Sequence, residues 1–380
     1  MFGSEKIRGI AWQVLLLLAV VAGGWYLFDN TQQNLARSNI QVGFDFLGRE
    51  AGFQIAESLI EYDATHTYAR AFLVGVGNTL YVALIGIVLA TVLGTVVGIA
   101  RLSQNWLVRK LASSYVEVMR NVPLLLQLLV WYAFFTELLP GVRQAINIGG
   151  LAFLSQRGLR YAWPVAHPAY LYAGIAFLVA LVGLYFYRSY ARKRQQETGV
   201  QLPLGWPAAA LLLGLPLIAW LIGGAPTELE IPRLAGFDMR GGRNVSPEFT
   251  ALLIGLTTYT AAFIAEVVRG GILAVDKGQT EAAEALGLTS SQRLRLVTLP
   301  QALRVIIPPM TSQYLNLTKN SSLAVAIGYP DLVSVANTSM NQTGQAIEAI
   351  AILMAVYLAI SLVIALLMNI YNNRVRLVER

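Results

Sequence analysis

Long stretches without a charged residue recur along this chain, and most approach the length a helix needs to cross a bilayer. They lie between Arg8 and Asp29, Arg70 and Arg101, Arg120 and Glu137, Arg160 and Arg188, Glu197 and Glu228, Glu248 and Glu266, Arg304 and Lys319, and Glu348 and Arg374. A transmembrane helix takes about 20 predominantly apolar residues. Backbone N–H and C=O groups inside lipid must be satisfied within the segment, so such stretches fold as helices. A transmembrane barrel would show short alternating segments instead. The expectation is an all-α integral membrane protein with eight transmembrane helices. Composition excludes the alternatives: 56% of the 380 residues are hydrophobic and 13% charged, against about 25% charged in soluble domains. A soluble enzyme, a disordered scaffold and a coiled coil are ruled out.

Charge sets the orientation. With the N-terminus in the cytoplasm, the inside segments are 1–9, 101–121, 188–205, 269–304 and 371–380, and they hold 18 of the 28 lysines and arginines. Both termini are then cytoplasmic. The net charge of +7 reads as topology, and no nucleic-acid partner is implied. The first span has a rival reading as a cleaved signal peptide, since Lys6 and Arg8 precede an apolar run and Ala22-Gly23-Gly24 follows it. The run continues to Phe28, which favours a retained anchor. Cysteine is absent and the two histidines, His66 and His167, are far apart. These counts point to no metal site and no cofactor. No GxxxxGK[ST] loop occurs, so the chain is not expected to hydrolyse ATP itself.

Residues 274–300, AVDKGQTEAAEALGLTSSQRLRLVTLP, are too polar to cross and fall between two spans on the inside. They read as two short helices. Asp276 with Gln279, and Thr289 with Gln292, have capping-box spacing. Glu281 and Glu284 are placed near the first helix's N-terminus. Gly287 falls where that helix would end in a left-handed residue.

Glu281-Ala282-Ala283, then Gly287, Val297 and Leu299-Pro300 at their spacing, resemble the EAA loop in membrane subunits of binding-protein-dependent ABC importers. The family pattern has Ile where Val297 stands. A plain amphipathic helix on the membrane surface is the alternative. Tyr115 to Pro123 with Gln127, Ala265 to Ile272, Leu317 to Leu323 and, more weakly, Gly77 to Leu80 resemble the polar amino acid (histidine/glutamine) permeases, in the enlarged form of the general L-amino acid systems. The resemblance implies a type I importer fold, with a core of 71–139 and 249–370 inside a domain of 71–370. It also implies an insertion at 140–248 carrying two extra helices, an N-terminal region at 1–70 and a tail at 371–380. It implies a cytoplasmic ATPase dimer docked on Glu281, Ala282, Ala283, Gly287, Leu299 and Pro300, and a periplasmic amino-acid-binding protein. A second permease subunit is implied too, as a heterodimer or a homodimer, all in the inner membrane among its lipids.

Only 14 residues separate Arg304 from Lys319, and Pro308-Pro309 interrupts them. As a helix they would span roughly 21 Å, short of a core of about 30 Å. Short, interrupted helices in transporters mark substrate paths, so Gln313, Asn316, Lys319, Asn320 and Ser321 are candidate path residues, with Asn78, Gln127 and Thr258. The alternative is helix-to-helix contact by small and polar residues. Lys319 could attract a substrate carboxylate or pair with Glu348. Glu266 and Arg269 are expected to form a structural ion pair near the loop. A carrier driven by an ion gradient is the rival function, but it would favour carboxylates at mid-membrane.

Overall fold

The computed structural model describes residues 3–37 and 43–375. In chain order α1 (Gly3–Arg37), α2 (Tyr68–Ala100), α3 (Trp106–Asn121) and α4 (Leu124–Ala133) come first, followed by strands β1 (Ile146–Ile148), β2 (Ala152–Ser155), β3 (Gly158–Tyr161) and β4 (Trp163–Pro164). Next come α5 (Pro168–Thr198), α6 (Gly205–Ala209), α7 (Leu215–Ile222) and strands β5 (Leu229–Glu230), β6 (Arg233–Ala235), β7 (Asp238–Arg240) and β8 (Arg243–Val245). The chain closes with α8 (Pro247–Leu273), α9 (Lys277–Ala285), α10 (Ser290–Arg293), α11 (Leu299–Asn320), α12 (Leu332–Thr343) and α13 (Ala346–Val375). The last five residues of the expected tail 371–380 lie outside the described residues.

Helix ends follow the local chemistry. Thr67 accepts from the Arg70 N–H at the start of α2, and Asn105 from the Leu107 and Val108 N–H groups at the start of α3. His167 caps α5 through Nδ1. Each side chain satisfies a donor that the first helical turn leaves free.

Among the described residues, six helical segments are long and apolar enough to cross a membrane: Arg8–Leu27, Tyr68–Ala100, Pro168–Thr198, Gly205–Ile222, Pro247–Leu273 and Ala346–Arg374. The pair Trp106–Asn121 and Leu124–Leu138, bent by 104° at Val122-Pro123, makes a seventh if it is one span. Of the eight expected spans, six or seven meet this length and composition. The stretch 304–319 lies in α11, whose polar residues keep it short of the apolarity of the others. That helix also passes through Pro308-Pro309 without a break, against the expected interruption. Each proline forgoes a backbone hydrogen bond, while buried Ile306, Ile307 and Met310 on the same turns hold the helix by packing.

Two compact units are present: 1–133 with 248–380, and 134–247. In the first, one apolar cluster joins Phe46, Tyr68 and Phe72 to Leu332, Val335 and Ala349, and a second joins Ala83, Ala90, Ala261, Ile264, Ile306 and Leu317. Glycines make the second possible. An added Cβ at Gly94 would lie 2.6 Å from the Ile264 side chain and 2.8 Å from the Ala261 carbonyl, and one at Gly98 2.8 Å from the Ala265 carbonyl. Two glycines four apart thus let α2 and α8 meet backbone to backbone, as small residues do in membrane bundles.

The second unit corrects the all-α expectation. Eight short strands flank its helices, with β1-β2-β3-β8 forming an antiparallel sheet. Leu159 pairs with Val245 and Tyr161 with Arg243, so the strand that leaves this unit lies beside β3, at the opposite edge of the sheet from β1. Its helices α5 and α7 close tightly where a Cβ on Gly223 would lie 2.5 Å from that of Ala169.

Candidate functional site

The loop from α8 to α11 in the first unit is largely exposed. Asp276 starts α9 by accepting the Gly278 N–H at 2.6 Å. This is a simple cap rather than the expected box, because Gln279 is engaged by Gln301 at 3.3 Å instead. Glu281 sits mid-helix and Glu284 in the last turn, not near the N-terminus as the sequence suggested. The end of α9 is closed by two bonds: Gly287 N–H donates to the Glu284 carbonyl at 2.9 Å and Leu288 N–H to that of Ala283 at 3.1 Å. Gly287 has φ +73°. This is the Schellman arrangement, which favours glycine at the left-handed position. Thr289 and Gln292 then form a full capping box for α10, as expected. Arg293 pairs with Glu284 and straps the second short helix to the first.

The loop is firm at its base and open at its surface. Ala283 is buried at 3%, while Leu286 is 80% and Leu296 63% exposed. Glu281 and Ala282 are exposed, and Leu299 and Pro300 open α11. The segment therefore carries an apolar face that this chain leaves uncovered.

Ten residues upstream of Asp276, Glu266 gathers more partners than the one expected. Arg269 Nη2 lies 2.5 Å from its Oε1. Its Oε2 is shared between Arg101, at the end of α2, and Arg120, at the end of α3, the latter at 3.8 Å. Arg120 also stacks over Phe263 at 5.2 Å. One carboxylate thus ties α2 and α3 to the helix that leads into the loop. Arg120 stood in a motif already noted; Arg101 is a lone arginine ending an apolar run, which reads in sequence as a topology mark.

The candidate path residues are held by different partners. Asn78 is buried and donates to the carbonyls of Glu57 and Pro330, both at 2.8 Å. Gln127 donates to the Met119 and Val122 carbonyls at 2.9 Å each, so it fastens the bend between α3 and α4. Thr258 spends its hydroxyl on the Ile254 carbonyl at 2.8 Å, and buried Ser321 on that of Thr318 at 2.7 Å. On α11, Gln313 and Asn320 are half-buried, and Asn316 and Lys319 exposed. Lys319 forms no ion pair with Glu348 among the described residues; Glu348 instead accepts the Gly43 N–H at 2.7 Å.

Sequence reasoning missed a buried polar node beside Asn78. Leu332 N–H donates to the Thr79 hydroxyl at 3.1 Å, and Asp331 accepts the Ser334 N–H at 2.8 Å. The second Asp331 oxygen is buried without a hydrogen-bond partner. Burial pushes the Asp331 carboxyl up to about 7, since a charged group is disfavoured away from water.

Residues 202–377, spanning this loop and α8 to α13, match the family described as binding-protein-dependent transport system inner membrane component. The chain is 48% identical to the general L-amino acid transport system permease protein AapQ of Rhizobium johnstonii, over 99% of this chain and 94% of that protein. It is 52% identical to the putative amino-acid ABC transporter permease protein YhdX of Escherichia coli, over 100% and 97%. It is 40% identical to the glutamate/glutamine/aspartate/asparagine transport system permease protein BztB of Rhodobacter capsulatus, over 99% and 96%. The chain belongs to this family: it is an inner-membrane permease subunit of an ABC importer. Within the family it stands with the amino-acid permeases.

Proposed function

We propose that this subunit forms one half of the pathway through which L-amino acids enter the cell, and that the loop Lys277–Pro300 receives the driving force. The supporting observation is the loop's construction. A thin, alanine-rich α9, closed at Gly287 and strapped by Glu284 to Arg293, presents exposed Leu286 and Leu296 on a base pinned by buried Ala283. A rigid knob of this kind transmits displacement, where a flexible loop would absorb it. Its occupant is a separate cytoplasmic ATPase dimer, so hydrolysis takes place off this chain. An extracytoplasmic amino-acid-binding protein and a second permease subunit complete the system, the latter a different chain or a second copy. In this reading both termini and the loop are cytoplasmic, and the core 71–139 and 249–370 has the type I arrangement. The insertion 140–248 carries two extra helices, with 1–70 and 371–380 as flanking segments.

The relatives' names support amino acids as cargo, and one of them names acidic residues and their amides. Replacing Gly287 by Val tests the loop. A Cβ-bearing residue in the left-handed region costs about 1–2 kcal/mol, and the branched side chain adds bulk at the docking face. Gly287→Val is expected to assemble in the membrane yet lose ATP-dependent amino-acid uptake, with Gly287→Asn retaining part of it. Uptake by Gly287→Val at the parent rate would overturn the role assigned to the loop.

A further inference from the structure

The arginines around Glu266 exceed what one carboxylate can balance. Three guanidiniums, of Arg101, Arg120 and Arg269, face a single negative charge. The ends of α2 and α3 contribute about half a negative charge each, which leaves an excess near one positive charge. The hydrogen-bond count agrees. The Nε atoms of Arg101 and Arg269 are shielded from water and have no partner. Arg120 has its closest carboxylate oxygen at 3.8 Å and remains 42% exposed, so its donors are open to a ligand.

Position narrows the chemistry. Arg101 directly follows the last residue of a 33-residue apolar helix, so the cluster lies at headgroup depth. Guanidinium forks match the oxygens of phosphate and carboxylate, and basic pockets between transmembrane helices hold anionic headgroups. We propose that Arg101, Arg120 and Arg269 form an oxyanion site that takes the phosphodiester of an anionic phospholipid, whose single negative charge matches the excess. The lipid would then act as a fourth member of the cluster, bracing the ends of α2 and α3 against α8 where it runs toward the loop.

The test uses the assembled importer in nanodiscs of phosphatidylcholine doped with phosphatidylglycerol, with retained lipids counted by native mass spectrometry. The wild type is expected to retain phosphatidylglycerol over phosphatidylcholine, and retention should fall about fivefold for each arginine neutralised. Arg120→Gln is the main variant, because Arg120 makes the loosest contact with Glu266; Arg101→Gln is the second, and Arg120→Lys should keep part of the preference. Equal retention of the two lipids by wild type, or an undiminished preference in Arg120→Gln, would overturn the site. Displacement of the lipid by inorganic phosphate in millimolar excess would identify a free anion as the occupant and overturn the phospholipid assignment.

Discussion

Glu266 shows how far single residues could be read. Its pairing with Arg269 follows from their spacing of three on a helix, where side chains meet. Its sharing with Arg101 and Arg120 depends on where three helices end, which no local spacing encodes. Because Glu266 serves three guanidiniums, its neutralisation should cost more than the loss of one surface pair. Glu266→Gln is expected to lower stability by about 1.5–3 kcal/mol, the range for hydrogen bonds to charged groups, in thermal unfolding of the purified complex; an unchanged melting temperature would remove the cluster's bracing role. Asp331 makes the opposite case. Its carboxyl, raised to about 7 by burial, binds a proton more tightly folded than unfolded. Stability should therefore fall as pH rises from about 4 through 7, with the full contribution present below the unfolded pKa. Asp331→Asn keeps the cap on α12 and removes the titration. It should flatten the pH dependence of unfolding over that window and be the more stable form at pH 8, and a profile identical to that of wild type would contradict this.

At the scale of elements, the long apolar helices were plain in the sequence because lipid leaves a helix no alternative. Several side chains and turns took structural roles that a short-range reading of the sequence did not assign. Pro308-Pro309 read as an interruption, yet α11 is continuous because Ile306, Ile307 and Met310 are buried on either side. Gln127 read as a polar group for a solute, yet it closes the break in the bent pair. Thr258 and Ser321 read the same way, and both bond carbonyls of their own turns. The short strands at 146–161 and 243–245 pair across about 80 intervening residues, beyond the reach of periodicity. The approach of α2 to α8 gives a sharp test. Gly94→Ala adds a Cβ 2.6 Å from Ile264 and should destabilise by about 1–3 kcal/mol through overpacking. Gly174→Ala in α5 meets nothing within 4 Å and should be neutral or slightly stabilising, since alanine favours helix over glycine. Equal melting temperatures for the two variants would show that the glycine contact is not tight.

Across the whole molecule, the two short helices of the loop and the turn between them were legible in the sequence, and the structure adds how they are held together. Asp276, Thr289 and Gly287 were visible as caps because capping is local. The strap from Glu284 to Arg293 and the burial of Ala283 were not, because both depend on how the loop folds back. The central claim is that this knob engages another subunit on the cytoplasmic side. The chain contains no cysteine, so a single Leu286→Cys reports from one position without background. In the assembled importer, a short bifunctional thiol reagent is expected to join that cysteine to a cysteine introduced on the ATPase surface, with yield changing on addition of ATP. Labelling of the same cysteine in intact cells by a membrane-impermeant reagent, or cross-linking to no other subunit, would contradict the account.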